Sequence, residues 1–182
     1  MTLDAAALAA IGARLEAAAS ELAAADARTE TLADYRPAHR TLLVPRPATF
    51  VTRAPVWRLG VLLLSTQGEL FATGAVTRAR DPKHPNYTSL SGEERRQLRE
   101  AARKAGFGVH DTVNFEATPL PLDDTLGAVG PLVLRGDELT VSWNGTRSPD
   151  SLRPFADYLG ERVALAIHPP EGAGEAPRPV PT

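Results

Sequence analysis

The chain has 182 residues, of which 43% are apolar, a formal net charge of −2 and no cysteine. That length suits one hydrophobic core, and the lack of thiols excludes disulfides, thiolate zinc sites, iron–sulfur clusters and cysteine nucleophiles. No run approaches 18 apolar residues, so no transmembrane helix is expected, and Asp4, Arg14 and Glu16 interrupt the alanine-rich start where a signal peptide needs a basic head and an apolar middle, so a cytoplasmic location is expected.

Residues 3–27 read as one amphipathic helix. Leu8, Ile11, Leu15, Ala18, Leu22 and Ala25 recur at steps of three and four and share one stripe. Thr2 suits the cap, and Asp4 suits the positive end of the helix dipole. The stripe is expected to pack on the protein's own sheet; a homodimer through this helix is the other use of such a seam.

Between residues 37 and 55, four prolines leave room for two short edge strands, Thr41 to Val44 and Thr49 to Thr52. Val56 to Ser65 reads as a central strand with a bulge at Gly60, turning at Thr66–Gly68 into a partner strand, Glu69 to Arg78. A polar loop, Ala79 to Leu90, precedes a helix with a capping box at Ser91 and Glu94 and a glycine cap at Gly106. Thr112 to Ala117 alternates as a strand, and Gly136-Asp137 marks a two-residue hairpin turn between two more. A short helix, Ser151 to Glu161, and a last strand through Val163, Leu165 and Ile167 complete the pattern. The expectation is one α+β domain over residues 1–168, a mainly antiparallel sheet with three helices packed against it. Residues 1–30 form the N-terminal helical segment, and residues 169–182 a disordered proline-rich tail.

Charge is unevenly spread. Residues 28–110 hold 14 Arg or Lys against seven Asp or Glu, and the rest of the chain is acidic. Arg95, Arg99 and Arg103 lie four apart and form one basic stripe on the second helix, suited to an anionic ligand and, as a further partner, to a nucleic-acid backbone. The polar loop places His84 and Asn86 beside Arg78, Arg80 and Lys83. Because binding residues concentrate on loops held by a rigid scaffold, Arg78 and Arg80 join the arginine stripe as candidate ligand-binding residues.

Catalytic patterns are missing. No His pair has metal-ligand spacing, no metal site or cofactor is expected, and neither G-x-S-x-G, S-x-x-K nor a phosphate-binding glycine loop occurs. A hydrolase would have to assemble its site from scattered residues, of which His84, Asn86, Asn114 and Glu116 are the candidates by chemical type.

Two resemblances bear on this. "REAARKAGF" is similar to the close of a Nudix box, with Arg99, Glu100, Ala101, Gly106 and Phe107 in matching places. However, Arg103 and Lys104 stand where that family has its paired glutamates, and Ser91 where it has another. Magnesium needs hard carboxylate oxygens, so the resemblance implies a Nudix-like fold without metal-dependent hydrolysis. The run "VWRLGVLLLSTQGELFATGAVTRA", followed by "SLSGEERRQLREAARKAGF" and "TVNFEA", resembles small, largely uncharacterised proteins of high-GC bacteria over about residues 32–168, some of them labelled "glutaminase". That label implies amide hydrolysis but transfers no catalytic residue. The expected function is a small binding or regulatory domain for an anionic ligand or protein partner, with a glutaminase-labelled or degenerate Nudix-like hydrolase as the alternative.

Overall fold

The computed structural model describes residues 3–41, 44–79, 90–109 and 111–170. They show an α+β chain with three helices and mainly antiparallel sheets, divided into two compact units: Thr29–Pro121, and Met1–Arg28 with Leu122–Thr182.

The second of these begins with α1 (Ala5–Ala24). Its cap is Asp4, whose Oδ1 accepts from the Ala7 amide at 2.7 Å; Thr2 lies outside the described residues. Ile11, Leu15, Ala18 and Leu22 are buried as their spacing predicts, while Ala25 falls beyond the helix and is exposed. The helix lies along the C-terminal helix of the same unit rather than on a sheet.

The unit Thr29–Pro121 is built on a seven-stranded sheet. β1 (Glu30–Arg36) leads into a separate ribbon of β2 (His39–Thr41) and β3 (Val44–Arg46), then into β4 (Thr49–Leu59), which runs back antiparallel to β1. Thr41 and Val44, expected on one strand, are instead paired across the ribbon; Leu42 and Leu43 between them lie outside the described residues. Pro55, expected to end a segment, sits inside β4. Its carbonyl accepts from the Thr66 amide, so its nitrogen, on that same edge, faces the turn beyond the next strand and deprives no ladder of a donor.

Gly60 is a turn residue, not a bulge. With φ +66° it opens a two-residue hairpin between β4 and β5 (Leu62–Ser65), in register Leu59↔Leu62. Buried Ser65 then organises the next turn: its Oγ accepts from the Gln67 and Glu69 amides at 3.3 and 3.0 Å. The expected partner strand divides into β6 (Leu70–Ala72), which pairs with β5, and β7 (Ala75–Arg78), which pairs elsewhere. α2 (Leu90–Lys104) follows, ended by Gly106 at φ +92°, whose amide bonds back to the Arg103 carbonyl. The helix begins at Leu90, so Ser91, the expected cap, falls within its first turn; the Ser91 side chain lies outside the described residues. β8 (Thr112–Phe115) and β9 (Thr118–Pro119) complete the sheet in the order β7-β8-β1-β4-β5-β6-β9, with β1–β8 its one parallel pair.

This order constrains the shape of the sheet. Laid flat, β7 and β6 would stand about 24 Å apart, five gaps at about 4.8 Å per strand. Only Thr73 and Gly74 join them, a reach of about 11 Å. The sheet therefore curls until its edges nearly meet. Where they do, a side chain at Gly74 would overlap the Phe115 and Glu116 carbonyls, so only glycine fits. Leu32, Val56, Leu63 and Phe71 fill the inside of the curl. The outer face carries Phe50, Val113 and Phe115, against which α2 lays Ala101 and Ala102. The Phe50 and Phe115 rings meet edge-on with centroids 5.2 Å apart, and Tyr35 closes the cluster 5.1 Å from Phe50.

The chain then returns to the unit of α1. β10 (Leu132–Arg135) and β11 (Glu138–Ser142) form the expected hairpin, with Gly136 at φ +59° in its turn, and β11 pairs with β12 (Leu152–Pro154). A 3₁₀ turn, Pro149–Ser151, precedes β12, and the helix expected from Ser151 begins at Phe155. That helix, α3 (Phe155–Ile167), also absorbs the expected last strand. Phe155, Leu159 and Val163 repeat every four residues and are buried, whereas Leu165 is 41% exposed, so the helical period and not the alternation of two decides. Most of the expected tail, residues 171–182, lies outside the described residues. No helix among the described residues is long and apolar enough to cross a membrane.

Candidate functional site

α2 carries three lanes. One is apolar, with Leu98, Ala101, Ala102 and Ala105 against the sheet. On another, Glu93 accepts from Arg96 at 2.8 and 3.0 Å and from Gln97 at 3.2 Å, and Glu100 pairs with Lys104 at 2.8 Å. These partners hold both carboxyls below their ordinary range: the Arg96 hydrogen bonds chiefly for Glu93, the Lys104 hydrogen bond for Glu100. The third lane is Arg95, Arg99 and Arg103, all exposed, each about 6 Å further along the axis than the last. These ion pairs lie on the flank beside the arginines. Arg78, exposed at the end of β7, precedes Ala79, which is buried with Ala101 and Ala102 in the same core. Four of the five candidate ligand-binding residues are thereby placed on α2 and the strand it packs on; Arg80 lies outside the described residues, as do His84 and Asn86.

The two other catalytic candidates stand in different surroundings. Glu116 is exposed beyond the end of β8, with φ +55°. Asn114 is 1% exposed and fully engaged. Its Nδ2 donates to Glu30 Oε2 at 2.7 Å and to the Thr31 carbonyl at 3.4 Å, and its Oδ1 accepts from Arg58. Arg58 closes the triangle with an Nε–Oε2 contact of 3.2 Å to Glu30. Asn114 lies opposite Leu32, and Arg58 is two residues from Val56, so the three polar groups sit at one end of the curl's interior. The half-buried Glu30 and Arg58 side chains keep partial access to solvent. An amide already holding three partners is poorly placed to bind a substrate; its evident work is to join β8 to β1 and β4. Glu30 and Arg58 are 28 residues apart, and Glu30 and Asn114 are 84 apart, so spacing gave no hint of this group. The amide between Val113 and Phe115 in a buried strand was the one signal.

Among the described residues, no group of three or more His, Asp or Glu converges as a metal site would require. No family model, curated protein or solved structure matches the chain.

Proposed function

We propose that the chain is a small cytoplasmic binding or regulatory module that holds an anionic ligand or partner through Arg95, Arg99 and Arg103, with Arg78 at the margin. One observation carries this reading: the three arginines share an exposed lane, while the carboxylates Glu93 and Glu100 of the same helix are paired on the neighbouring flank. Guanidinium groups suit it because each offers a planar fork to carboxylate or phosphate and keeps its charge at every accessible pH. Their exposure keeps each contact screened, so affinity should fall steeply with salt.

Retention of the full chain on immobilised heparin, eluted with a salt gradient, tests this. Arg95, Arg99 and Arg103 replaced together by alanine should lower the salt concentration at which the chain elutes. Unchanged elution would refute the assignment. Release of ammonia from glutamine, lost on His84→Ala, would support the hydrolase reading instead.

A further inference from the structure

The loop that leaves β11 carries an asparagine–glycine pair, Asn144-Gly145, followed by Thr146, and all three residues are exposed. Asn144 Oδ1 accepts twice from Thr146, from its amide at 3.1 Å and from its hydroxyl at 2.9 Å, in an Asx turn that folds the side chain back along its own backbone. Two groups beside this held carbonyl are free. Among the described residues, neither the Gly145 amide nor the Asn144 Nδ2 has a hydrogen-bond partner. Gly145 stands at φ +78°, and a Cβ placed there would meet nothing, so the glycine answers to backbone conformation rather than to crowding. The frame around the loop is tied down. The Trp143 amide donates to the Ser151 carbonyl at 3.2 Å, the Arg147 amide to buried Ser142 Oγ at 3.2 Å, and the Arg147 guanidinium to the Gly130 carbonyl at 2.8 Å.

We propose that Asn144 is a site of self-modification, at which the folded chain turns its own amide into a carboxylate through a cyclic imide. The Gly145 amide gives its proton to hydroxide and attacks Asn144 Cγ. A bond forms from the Gly145 nitrogen to Cγ, and the carbonyl electron pair moves onto Oδ1. When that pair returns, the Cγ–Nδ2 bond breaks, and Nδ2 takes a proton from water and leaves as ammonia. Water then opens the imide at either carbonyl, giving aspartate or isoaspartate; nothing is oxidised or reduced. Each part of the loop serves one part of this step. Both Thr146 donors are aimed at the oxygen on which negative charge develops, the placement that stabilises acyl transfer. The attacking amide has no bond to give up, and the glycine presents no side chain to the approach. Asn114 is the opposite case, buried, with its amide held by Glu30, Thr31 and Arg58 and followed by Phe115. The product adds one negative charge to the exposed loop, and isoaspartate also lengthens the backbone between the ties at Trp143 and Arg147.

The site lies in the other compact unit and does not depend on the α2 reading. The test holds the full chain folded at mildly alkaline pH over days and follows it by peptide mass mapping and isoelectric focusing. Asn144 should convert about tenfold faster than Asn114 or more, and at least as fast as in the same chain unfolded in urea, where the Thr146 donors are lost. Its rate should rise about tenfold per pH unit, because the reacting species is the amide anion. Gly145→Ala should slow conversion about tenfold by hindering the attack. Thr146→Val, which removes the hydroxyl donor, should slow it severalfold, and Thr146→Ser should restore it, which separates the donor from a damaged loop. The proposal is overturned if Asn144 remains an amide while the chain is folded, if unfolding in urea speeds its conversion, or if Thr146→Val reacts as fast as the wild type.

Discussion

Asn114→Ala should cost about 2–3 kcal/mol, and the reason lies in what the amide leaves behind. It removes a buried donor to Glu30 and to the Thr31 carbonyl, and a buried acceptor from Arg58. Hydrogen bonds to charged groups contribute about 1.5–3 kcal/mol each. Those to Glu30 and Arg58 cannot be summed, because both partners remain bonded to each other and open to solvent at the end of the curl. For a chain of 182 residues, about 2–4 °C per kcal/mol gives a fall in melting temperature of about 4–12 °C. Replacing all three members together, Glu30→Leu, Arg58→Met and Asn114→Val, should cost less than Asn114→Ala alone, since no polar group is then left to desolvate. Urea denaturation of the single and triple variants, with equal m-values, measures both. A single variant within 0.5 kcal/mol of wild type, or a triple variant as costly as the summed singles, would refute the view that this network acts as a unit.

Three further outcomes follow from local geometry. Gly74→Ala must push the β6–β7 crossing off two backbone carbonyls that cannot yield as a side chain does, and should destabilise by about 3 kcal/mol or more in thermal unfolding; Gly106→Ala, where space is open and only the positive φ is strained, should cost about 1 kcal/mol. Asp4→Ala should lose about 1 kcal/mol with the cap of α1, whereas Asp4→Asn should lose less, as compared by urea denaturation at neutral pH. Glu93 and Glu100 have lowered folded-state pKa values, so their contribution is present above the ordinary carboxylate range and is lost as pH falls from that range through the lowered values; Glu93→Gln with Glu100→Gln should flatten the acid limb of stability against pH, by a small amount because both ion pairs are exposed.

How far these features could be read from residues depended on the range of the interaction. The Gly136-Asp137 turn, the Gly106 cap and the stripe of α1 are local, and their residue types suffice. Leu59 to Ser65 misled because both strands of its hairpin are buried, so the apolar run is unbroken across the turn at Gly60. The parallel pairing of β1 with β8 left no mark on the residues, since it joins positions more than 80 apart. Asn114 could be picked out by chemical type, but its three partners could not.

The division of charge was legible in another way. Thr29–Pro121 contains 13 Arg or Lys and nine Asp or Glu, so the basic middle of the sequence coincides with one compact unit, and the acidic remainder with the other. Within the basic unit the nine carboxylates are unevenly placed. Glu30 is held by Arg58 and Asn114, Asp34 faces Arg53 at 3.7 Å, and Glu93 and Glu100 are paired along α2, while the β2–β3 ribbon carries none. Side chains that only kept the unit soluble would serve equally well with the two signs interspersed. With 13 Arg or Lys against nine Asp or Glu, this unit is net positive on a chain whose net charge is −2. A polyanion is the class of partner that such an excess attracts, and salt is the variable that should govern it.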